Sequence, residues 1–118
     1  SQELATVASE KLPVKIALFN NGYLGMVKQW QEMFFQNHLK EVPIPGPEYV
    51  KLAHAYGIPG MKVTHQEDVK SALRKAHEHD GPFFIEFVVD SSVNLYPMVP
   101  PGGSLGDTLE DPLTKQTV

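Results

Sequence analysis

Residues 14–27, VKIALFNNGYLGMV, decide the fold. The first six, residues 14–19, are short, apolar and β-branched, which is typical of a buried strand. Asn20, Asn21 and Gly22 then predict a turn, because asparagine and glycine tolerate left-handed backbone angles. Behind the turn, apolar side chains recur at the spacing of an amphipathic helix: Tyr23, Met26, Val27, Trp30, Met33 and Phe34. The stretch therefore predicts a strand, a tight turn and a helix.

Helices and apolar strands alternate through the rest of the chain. The patterns predict helices over residues 2–11, 47–56 and 67–79, and strands over residues 60–64 and 83–89. This alternation predicts an α/β fold, a three-layer parallel sheet with helices on both faces. The proline- and glycine-rich residues that follow show no sustained period and predict a tail, either docked or loose.

Composition excludes several classes of protein. The chain has 118 residues, about one small domain, with a formal net charge of -4 and no cysteine. A disulfide scaffold, a cysteine zinc site and a cysteine nucleophile are excluded. The apolar runs are far shorter than the roughly 20 residues of a membrane span. The scattered lysines and arginines do not form the clusters that phosphate backbones attract. We expect neither a nucleic-acid nor a membrane partner.

The turn after the first strand is the most informative candidate site. Ligands of parallel sheets bind beyond the carboxyl ends of the strands. A helix that begins near Leu24 directs unpaired N–H groups and its positive dipole end toward that edge, where phosphate binds readily. An asparagine oxygen beside it is a hard, neutral ligand that suits Mg²⁺. Since most Asn-Gly turns bind nothing, the residues alone leave both a metal-diphosphate site and an ordinary turn open.

The run from Asn20 to Gln31 resembles the second half of the thiamine-diphosphate-binding motif of acetolactate synthase, or acetohydroxyacid synthase, in its large catalytic subunit. Matching segments surround it, at residues 2–6, 12–16, 50–53, 55–60, 80–82 and 96–102. The resemblance covers about residues 1–106. It implies that residues 1–90 are part of a thiamine-diphosphate-binding domain without its upstream strands, and that residues 91–118 are a C-terminal tail.

The resemblance implies a role for each residue of the motif. Asn21 gives its side-chain oxygen to Mg²⁺, and Tyr23 gives its backbone carbonyl. Backbone groups at the helix start contact the diphosphate: Leu24, Gly25 and Met26. Met26 also lines the active site near the thiazolium ring. Trp30 faces the pocket for the second 2-ketoacid, where its bulk favours 2-ketobutyrate over pyruvate. The segment at residues 96–102 lies near the active-site mouth and helps to close it.

The activity that the resemblance implies is decarboxylation of pyruvate on thiamine diphosphate and ligation of the two-carbon unit to a second 2-ketoacid, in branched-chain amino-acid biosynthesis. The implied cofactors are thiamine diphosphate and Mg²⁺, with FAD held by another domain of the full-length enzyme. The implied partners, besides pyruvate and 2-ketobutyrate, are the rest of the large subunit, further copies in a homodimer or homotetramer, and a regulatory small subunit. The implied location is cytoplasmic, or the plastid in a plant.

Two parts of the family's machinery have no counterpart in these residues. One is the Gly-Asp half of the motif, which carries the charged Mg²⁺ ligand, and the other is the glutamate that activates the cofactor's pyrimidine from a neighbouring subunit. We therefore expect the chain to be the end piece of a larger subunit and to be inactive alone. Two alternatives stay open: another thiamine-diphosphate carboligase or decarboxylase, and a non-enzymatic, flavodoxin-like binding module.

The remaining polar and apolar candidates have simpler interpretations. The five histidines lack metal-ligand spacing and are expected at the surface or in loops: His38, His54, His65, His77 and His79. Glu86, inside an apolar strand, is expected at a sheet edge or an interface, because a buried carboxylate needs a partner. The residues alone favour a core role for the stripe of Met26, Trp30, Met33 and Phe34, whereas exposure of Phe34 and Phe35 would indicate an interface.

Overall fold

The computed structural model describes residues 2–112. Its elements, in chain order, are α1 (Glu3–Ser9), β1 (Lys15–Asn20), α2 (Gly25–Phe34), α3 (Tyr49–Ala55), β2 (Gly60–Val63), α4 (Gln66–Glu78), β3 (Phe83–Val88) and a 3₁₀ turn, Leu105–Asp107. They divide into two compact units. The first contains the described residues through Tyr23 together with Pro43–Ser91, and the second contains Leu24–Val42 and the described residues from Ser92.

A three-stranded parallel sheet forms the centre of the first unit. Its strand order is β1-β3-β2, so the last strand of the chain lies between the first two. Leu18 lies opposite Glu86 in the register of β1 and β3, and Lys62 lies opposite the same Glu86 from β2. The predicted parallel sheet is confirmed, and β3 has hydrogen-bonded neighbours along both of its sides.

Helices cover both faces of this sheet. On one face, Ala72 and Ala76 of α4 pack in a cluster with Val63, Ile85 and Phe87. On the other face, a second cluster contains residues of α1, α3, β1 and β3: Leu4, Val7, Ala8, Ile16, Leu18, Ala53 and Phe84. Successive side chains of a strand point to opposite faces, so neighbouring residues of β3 enter different clusters. The predicted three-layer α/β arrangement is confirmed.

Helices α1 and α3 are shorter than predicted, α4 has its predicted length, and α2 begins one residue after Leu24, near which its start was predicted. Tyr23, predicted as its first apolar residue, instead forms an isolated antiparallel bridge with Pro43. The N–H of Leu24 donates to the carbonyl of Val42 at 2.9 Å. These contacts hold the backbone in an extended path up to the helix, so α2 begins only at Gly25. Within residues 2–112, no helix combines the length and the apolar character that a membrane span requires.

Helix α2, in the second unit, buries its polar side. Its buried residues are Lys28 and Gln29, which are 8% and 1% exposed. The large apolar residues stay exposed, among them Met26 at 47%, Trp30 at 39% and Phe34 at 37%. The expectation from the residues alone that this stripe forms core is therefore wrong within the described part of the chain. The spacing of these apolar residues predicts an apolar face of α2, but it does not predict what packs against that face.

Gly60 offers a direct test of the sheet's close packing. A Cβ added there would lie 2.8 Å from the carbonyl oxygen and 3.1 Å from the Cβ of Phe84, its partner on β3. We expect Gly60→Ala to lower the free energy of unfolding by about 1–3 kcal/mol, because the backbone of a central strand cannot move away cheaply. Urea denaturation measures this.

The matched control is Gly106→Ala, where the nearest atom to an added Cβ is the Ser104 Oγ at 3.5 Å, an ordinary contact. We expect this change to stay within about 0.5 kcal/mol. Equal losses for the two variants would contradict the close approach of β2 to β3.

Candidate functional site

The turn at the carboxyl end of β1 is built from two consecutive asparagines. The Oδ1 of Asn20 accepts a hydrogen bond from the N–H of Gly22 at 3.0 Å, and the Oδ1 of Asn21 accepts one from the N–H of Tyr23, also at 3.0 Å. Gly22 has a φ of +70°, which glycine adopts without strain. Each amide oxygen has two lone pairs, so one bond of this kind leaves the Asn21 oxygen able to bind a second partner.

Neighbouring strands and loops hold this turn in place. The N–H of Ile44 donates to the carbonyl of Gly22 at 2.8 Å, and the N–H of Val89 donates to the carbonyl of Asn20 at 3.0 Å. A cavity of about 210 Å³ borders the turn and is lined by Leu18, Phe19, Asn20, Asn21, Gly22, Tyr23, Ile44 and Tyr49. The backbone of the turn is thus fixed beside a space that is open to a ligand.

The oxygen atoms of the turn fit a magnesium ion better than a soft metal. Among the described residues there is no group of three or more His, Cys, Asp or Glu side chains that could hold a metal by themselves. The Asn21 amide oxygen and the Tyr23 carbonyl are hard, neutral ligands. Mg²⁺ takes few protein ligands and completes its shell with waters and phosphate oxygens, so these two residues fit it as part of a metal-diphosphate site.

The amino terminus of α2 suits an anion. No side chain caps it, and its first turn contains no acidic residue. The Leu24 N–H is already bonded to Val42, and the first bond of the helix runs from the N–H of Lys28 to the carbonyl of Leu24 at 2.9 Å. The N–H groups of Gly25 and Met26 lie in the first turn, where a helix has no acceptor of its own for them. The helix dipole adds positive potential at the same end.

Met26 and Trp30 line one cavity in the second unit. Its volume is about 370 Å³, and Val27, Gln31 and Phe35 complete the lining. The Trp30 ring packs edge-to-face on Phe34, with the centroids 6.0 Å apart at 83°. The structure therefore places the two residues of the predicted substrate pocket on the same cavity wall, and that wall is apolar. Asn21 and Tyr23 belong to the first unit, whereas Met26 and Trp30 belong to the second.

Glu86 is the main residue whose place the sequence did not reveal. It lies in the central strand and is 2% exposed, so the expectation of a sheet edge is wrong. Its Oε1 accepts a hydrogen bond from the Nδ2 of Asn20 at 2.8 Å and lies 3.4 Å from the Nζ of Lys62. A carboxylate inside an apolar strand was the available signal. Its partners depend on the strand order, which periodicity does not give.

Comparison with known protein families shows which family the chain belongs to. Residues 1–87 match the sequence model of the family described as thiamine pyrophosphate enzyme, C-terminal TPP binding domain. The chain belongs to this family. Thiamine pyrophosphate, TPP, is another name for thiamine diphosphate, so the matched family is the one that the motif after β1 resembles.

Individual relatives of this TPP-binding domain are acetolactate synthases. The chain is 42% identical over 110 residues to acetolactate synthase isozyme 2 large subunit of Escherichia coli strain K12, covering 92% of this chain and 20% of the relative. It is 42% identical over 117 residues to the acetolactate synthase large subunit of Cyanidium caldarium, covering 98% of this chain and 20% of the relative. The chain thus spans about a fifth of the length of these curated relatives.

A solved structure resembles the domain as well. The thiamine diphosphate-dependent 4-hydroxybenzoylformate decarboxylase of Rhodococcus jostii RHA1 superposes with a TM-score of 0.66 at 31% identity. The superposition covers 74% of this chain and 16% of the decarboxylase. The parallel sheet with helices is therefore the fold of a TPP-dependent enzyme domain.

The tail of the TPP-binding domain is docked by Gln29. The Nε2 of this buried side chain donates to the carbonyl of Leu95 at 2.8 Å, and its Oε1 accepts from the N–H of Leu95 at 3.0 Å. Nearby, the Nδ2 of Asn94 donates to Glu32 at 3.1 Å, and Lys28 forms an ion pair with the same carboxylate. Hydrogen bonds from Lys28 and then Asn94 hold the pKa of Glu32 below its usual value. The part of the tail around Asn94 and Leu95 is therefore docked on α2, while residues 113–118 of the predicted tail lie outside the described residues.

The histidines of the domain contribute no cluster. His38, His54, His65 and His77 are exposed, and His79 is half-buried against the ring of Phe83, with centroids 5.6 Å apart. The Nδ1 of His65 lies 3.0 Å from the hydroxyl of Thr64. These positions agree with the expectation of surface and loop residues.

Gln29→Ala tests the docking of the tail. We expect the free energy of local opening around residues 94–98 to fall by about 1–3 kcal/mol, because both backbone groups of Leu95 lose their partner. Hydrogen exchange of peptides that span residues 94–98 measures this. The matched control is Gln31→Ala, whose amide forms the same kind of pair with the backbone of Lys40. If hydrogen exchange at residues 94–98 became faster in Gln31→Ala but not in Gln29→Ala, this would contradict the conclusion that Gln29 docks the tail.

Proposed function

We propose that this TPP-binding domain is the C-terminal part of an acetolactate synthase large subunit. The enzyme decarboxylates pyruvate on thiamine diphosphate and ligates the two-carbon unit to a second 2-ketoacid, in branched-chain amino-acid biosynthesis. Identity of 42% to acetolactate synthases over nearly the whole chain supports this. The single observation that carries it is the Asn20–Tyr23 turn, where the N–H of Tyr23 holds the Asn21 side-chain oxygen and leaves it a lone pair for a second partner.

The chain's own residues bind and orient the cofactor. In this proposal the Asn21 side-chain oxygen and the Tyr23 carbonyl would hold Mg²⁺, which would neutralise the charge of the diphosphate. The N–H groups of Gly25 and Met26, with the dipole of α2, take the phosphate oxygens. Leu24 contributes through its place at the helix start, because its own N–H is donated to Val42. Bound thiamine diphosphate supplies the decarboxylation chemistry.

The apolar cavity of α2 selects the second substrate. Met26 lies one helical turn before Trp30 on the cavity wall, and the large indole surface of Trp30 favours 2-ketobutyrate over pyruvate as the acceptor. Such an apolar wall would also exclude water from the reacting atoms.

The remaining parts of the active site come from other segments of the assembly. Two neutral ligands hold Mg²⁺ weakly, so a carboxylate from the rest of the large subunit completes the metal site. We propose a homodimer or homotetramer, with FAD held by another domain and a regulatory small subunit as a partner. The proposed location is cytoplasmic, or the plastid in a plant.

Asn21→Ala tests the metal site in the full-length large subunit. We expect the Kd for Mg²⁺, measured calorimetrically at saturating thiamine diphosphate, to rise about tenfold or more, because one of the few protein oxygens is lost. Gln66→Ala, which removes an exposed side-chain amide at the start of α4, is the control and leaves the Kd unchanged. An unchanged Kd for Asn21→Ala would refute the site.

A wild-type protein that binds no thiamine diphosphate with Mg²⁺ would favour the flavodoxin-like module.

Trp30→Leu tests the substrate pocket. With pyruvate and 2-ketobutyrate in competition, we expect the ratio of products to move toward the pyruvate-derived one by about tenfold, because the smaller side chain removes contacts with the extra methylene. Chromatography of the two acetohydroxyacids measures the ratio. Met33→Leu, on the same helix but outside the cavity lining, leaves the ratio unchanged. An unchanged ratio for Trp30→Leu would count against the pocket.

A second candidate is a TPP-dependent decarboxylase, and the likeness to the 4-hydroxybenzoylformate decarboxylase favours it. The two functions differ in their products from pyruvate alone. An acetolactate synthase converts two pyruvates into acetolactate and one CO₂, whereas a decarboxylase releases acetaldehyde and CO₂ from each pyruvate. Product analysis with pyruvate as the sole substrate therefore distinguishes them.

A further inference from the structure

A buried carboxylate to which the proposed function gives no role lies at the centre of the sheet. Glu86 occupies the middle of β3, opposite Leu18 of β1 and Lys62 of β2. It is 2% exposed, and an unpartnered carboxylate at such a place would be strongly unfavourable. Its partners therefore determine what the residue does.

The two partners of Glu86 differ in kind. Lys62 approaches its Oε1 to 3.4 Å while its own side chain stays 46% exposed, so it neutralises the carboxylate from the surface. Asn20 donates its Nδ2 to the same oxygen at 2.8 Å, which is hydrogen-bond distance. The contact with Lys62 balances the charge of the carboxylate, and the hydrogen bond from Asn20 fixes the orientation of the Asn20 amide.

The direction matters because both ends of the Asn20 amide are used. The Nδ2 donates to Glu86, and the Oδ1 accepts from the N–H of Gly22 at 3.0 Å. The Oε1 of Glu86 accepts from the amino end of the amide, which leaves the amide oxygen facing Gly22. A flipped amide would lose both bonds at once. The hydrogen bonds therefore connect Glu86 through Asn20 to the backbone of the turn.

We propose that Glu86 is a positioning residue for the metal-diphosphate turn: through Asn20 it fixes the Gly22 backbone from which Asn21 and Tyr23 present their oxygens. This inference rests on the proposed function, since that function assigns Asn21 and Tyr23 to Mg²⁺. Glu86 itself does not touch the ion. It acts by holding the turn in one geometry before a ligand arrives, which lowers the cost of binding.

The test compares variants of the full-length large subunit in two measurements. The first is the Kd for Mg²⁺ at saturating thiamine diphosphate, by calorimetry. The second is hydrogen exchange of peptides that span Asn20–Tyr23 in the metal-free protein, which reports the turn without any cofactor. Glu86→Met removes the acceptor, and we expect a Kd about tenfold higher and faster exchange of the turn.

A double variant that exchanges the hydrogen-bond donor and acceptor of the Asn20–Glu86 pair tests whether the lost Mg²⁺ affinity can be restored. Asn20→Asp alone sets two carboxylates against each other and is expected to raise the Kd about tenfold or more. In the double variant Asn20→Asp/Glu86→Gln, the glutamine donates to the aspartate, whose other lone pairs accept from the Gly22 N–H. We expect the Kd to return to within about threefold of wild type and the exchange of the turn to slow again.

Ile85→Val is the control for a merely structural role. Ile85 is the neighbour of Glu86 in β3, is 4% exposed and packs on the opposite face of the sheet. We expect this variant to lower the melting temperature while leaving the Kd and the exchange of the turn unchanged.

The outcomes separate this inference from the proposed function. A wild-type Kd in Glu86→Met, an unrescued double variant, or an equal loss of affinity in Ile85→Val would each overturn the positioning role alone. If Glu86→Met does not fold, the Asn20→Asp single and double variants decide the question by the same criteria. If Asn21→Ala binds Mg²⁺ normally while Glu86→Met speeds exchange of the turn, the metal site is wrong and only the hydrogen-bonded connection stands.

Discussion

Strand β3 has a neighbour on each side, and most of the first unit depends on that placement. Its alternating side chains enter two different clusters, with Phe84 on the face of α1 and α3, and Ile85 and Phe87 on the face of α4. Because all three strands are parallel, their carboxyl ends meet at one edge of the sheet. The register places Asn20 opposite Val88, so the turn after β1 is held against the end of the central strand.

The same placement explains why a carboxylate can stay in an apolar sheet. An apolar side chain at position 86 would avoid desolvation, and replacing buried ion pairs by apolar residues is often neutral or stabilising. The central strand instead brings Asn20 from one side and Lys62 from the other. Among the described residues, no buried side-chain nitrogen or oxygen lacks a hydrogen-bond partner. The desolvation cost is thereby offset, and the hydrogen bond to Asn20 gives the end of β1 a defined orientation.

The helices, the strands and their parallel arrangement could be predicted because periodicity and turn chemistry are local properties of sequence. The strand order could not, since a pattern along β3 does not name its neighbours. Glu86 shows the consequence: its bond to Asn20 joins residues 66 positions apart, and an edge was expected where the centre was found. At the candidate site, the sequence predicted the turn at Asn21 and a helix start near Leu24, but not the contact between Leu24 and Val42, which depends on a distant loop.

Helix α2 shows a different limit of sequence patterns. A helix that packs on a core and a helix that lines a binding cavity have the same amphipathic sequence, because both need one apolar face. In α2 the protein's own contacts lie on the polar side, where Gln29 satisfies both backbone groups of Leu95. That arrangement anchors the helix by hydrogen bonds and leaves Met26 and Trp30 on an open cavity wall. A face already packed against its own core has no surface left for a ligand, whereas this face of α2 stays exposed.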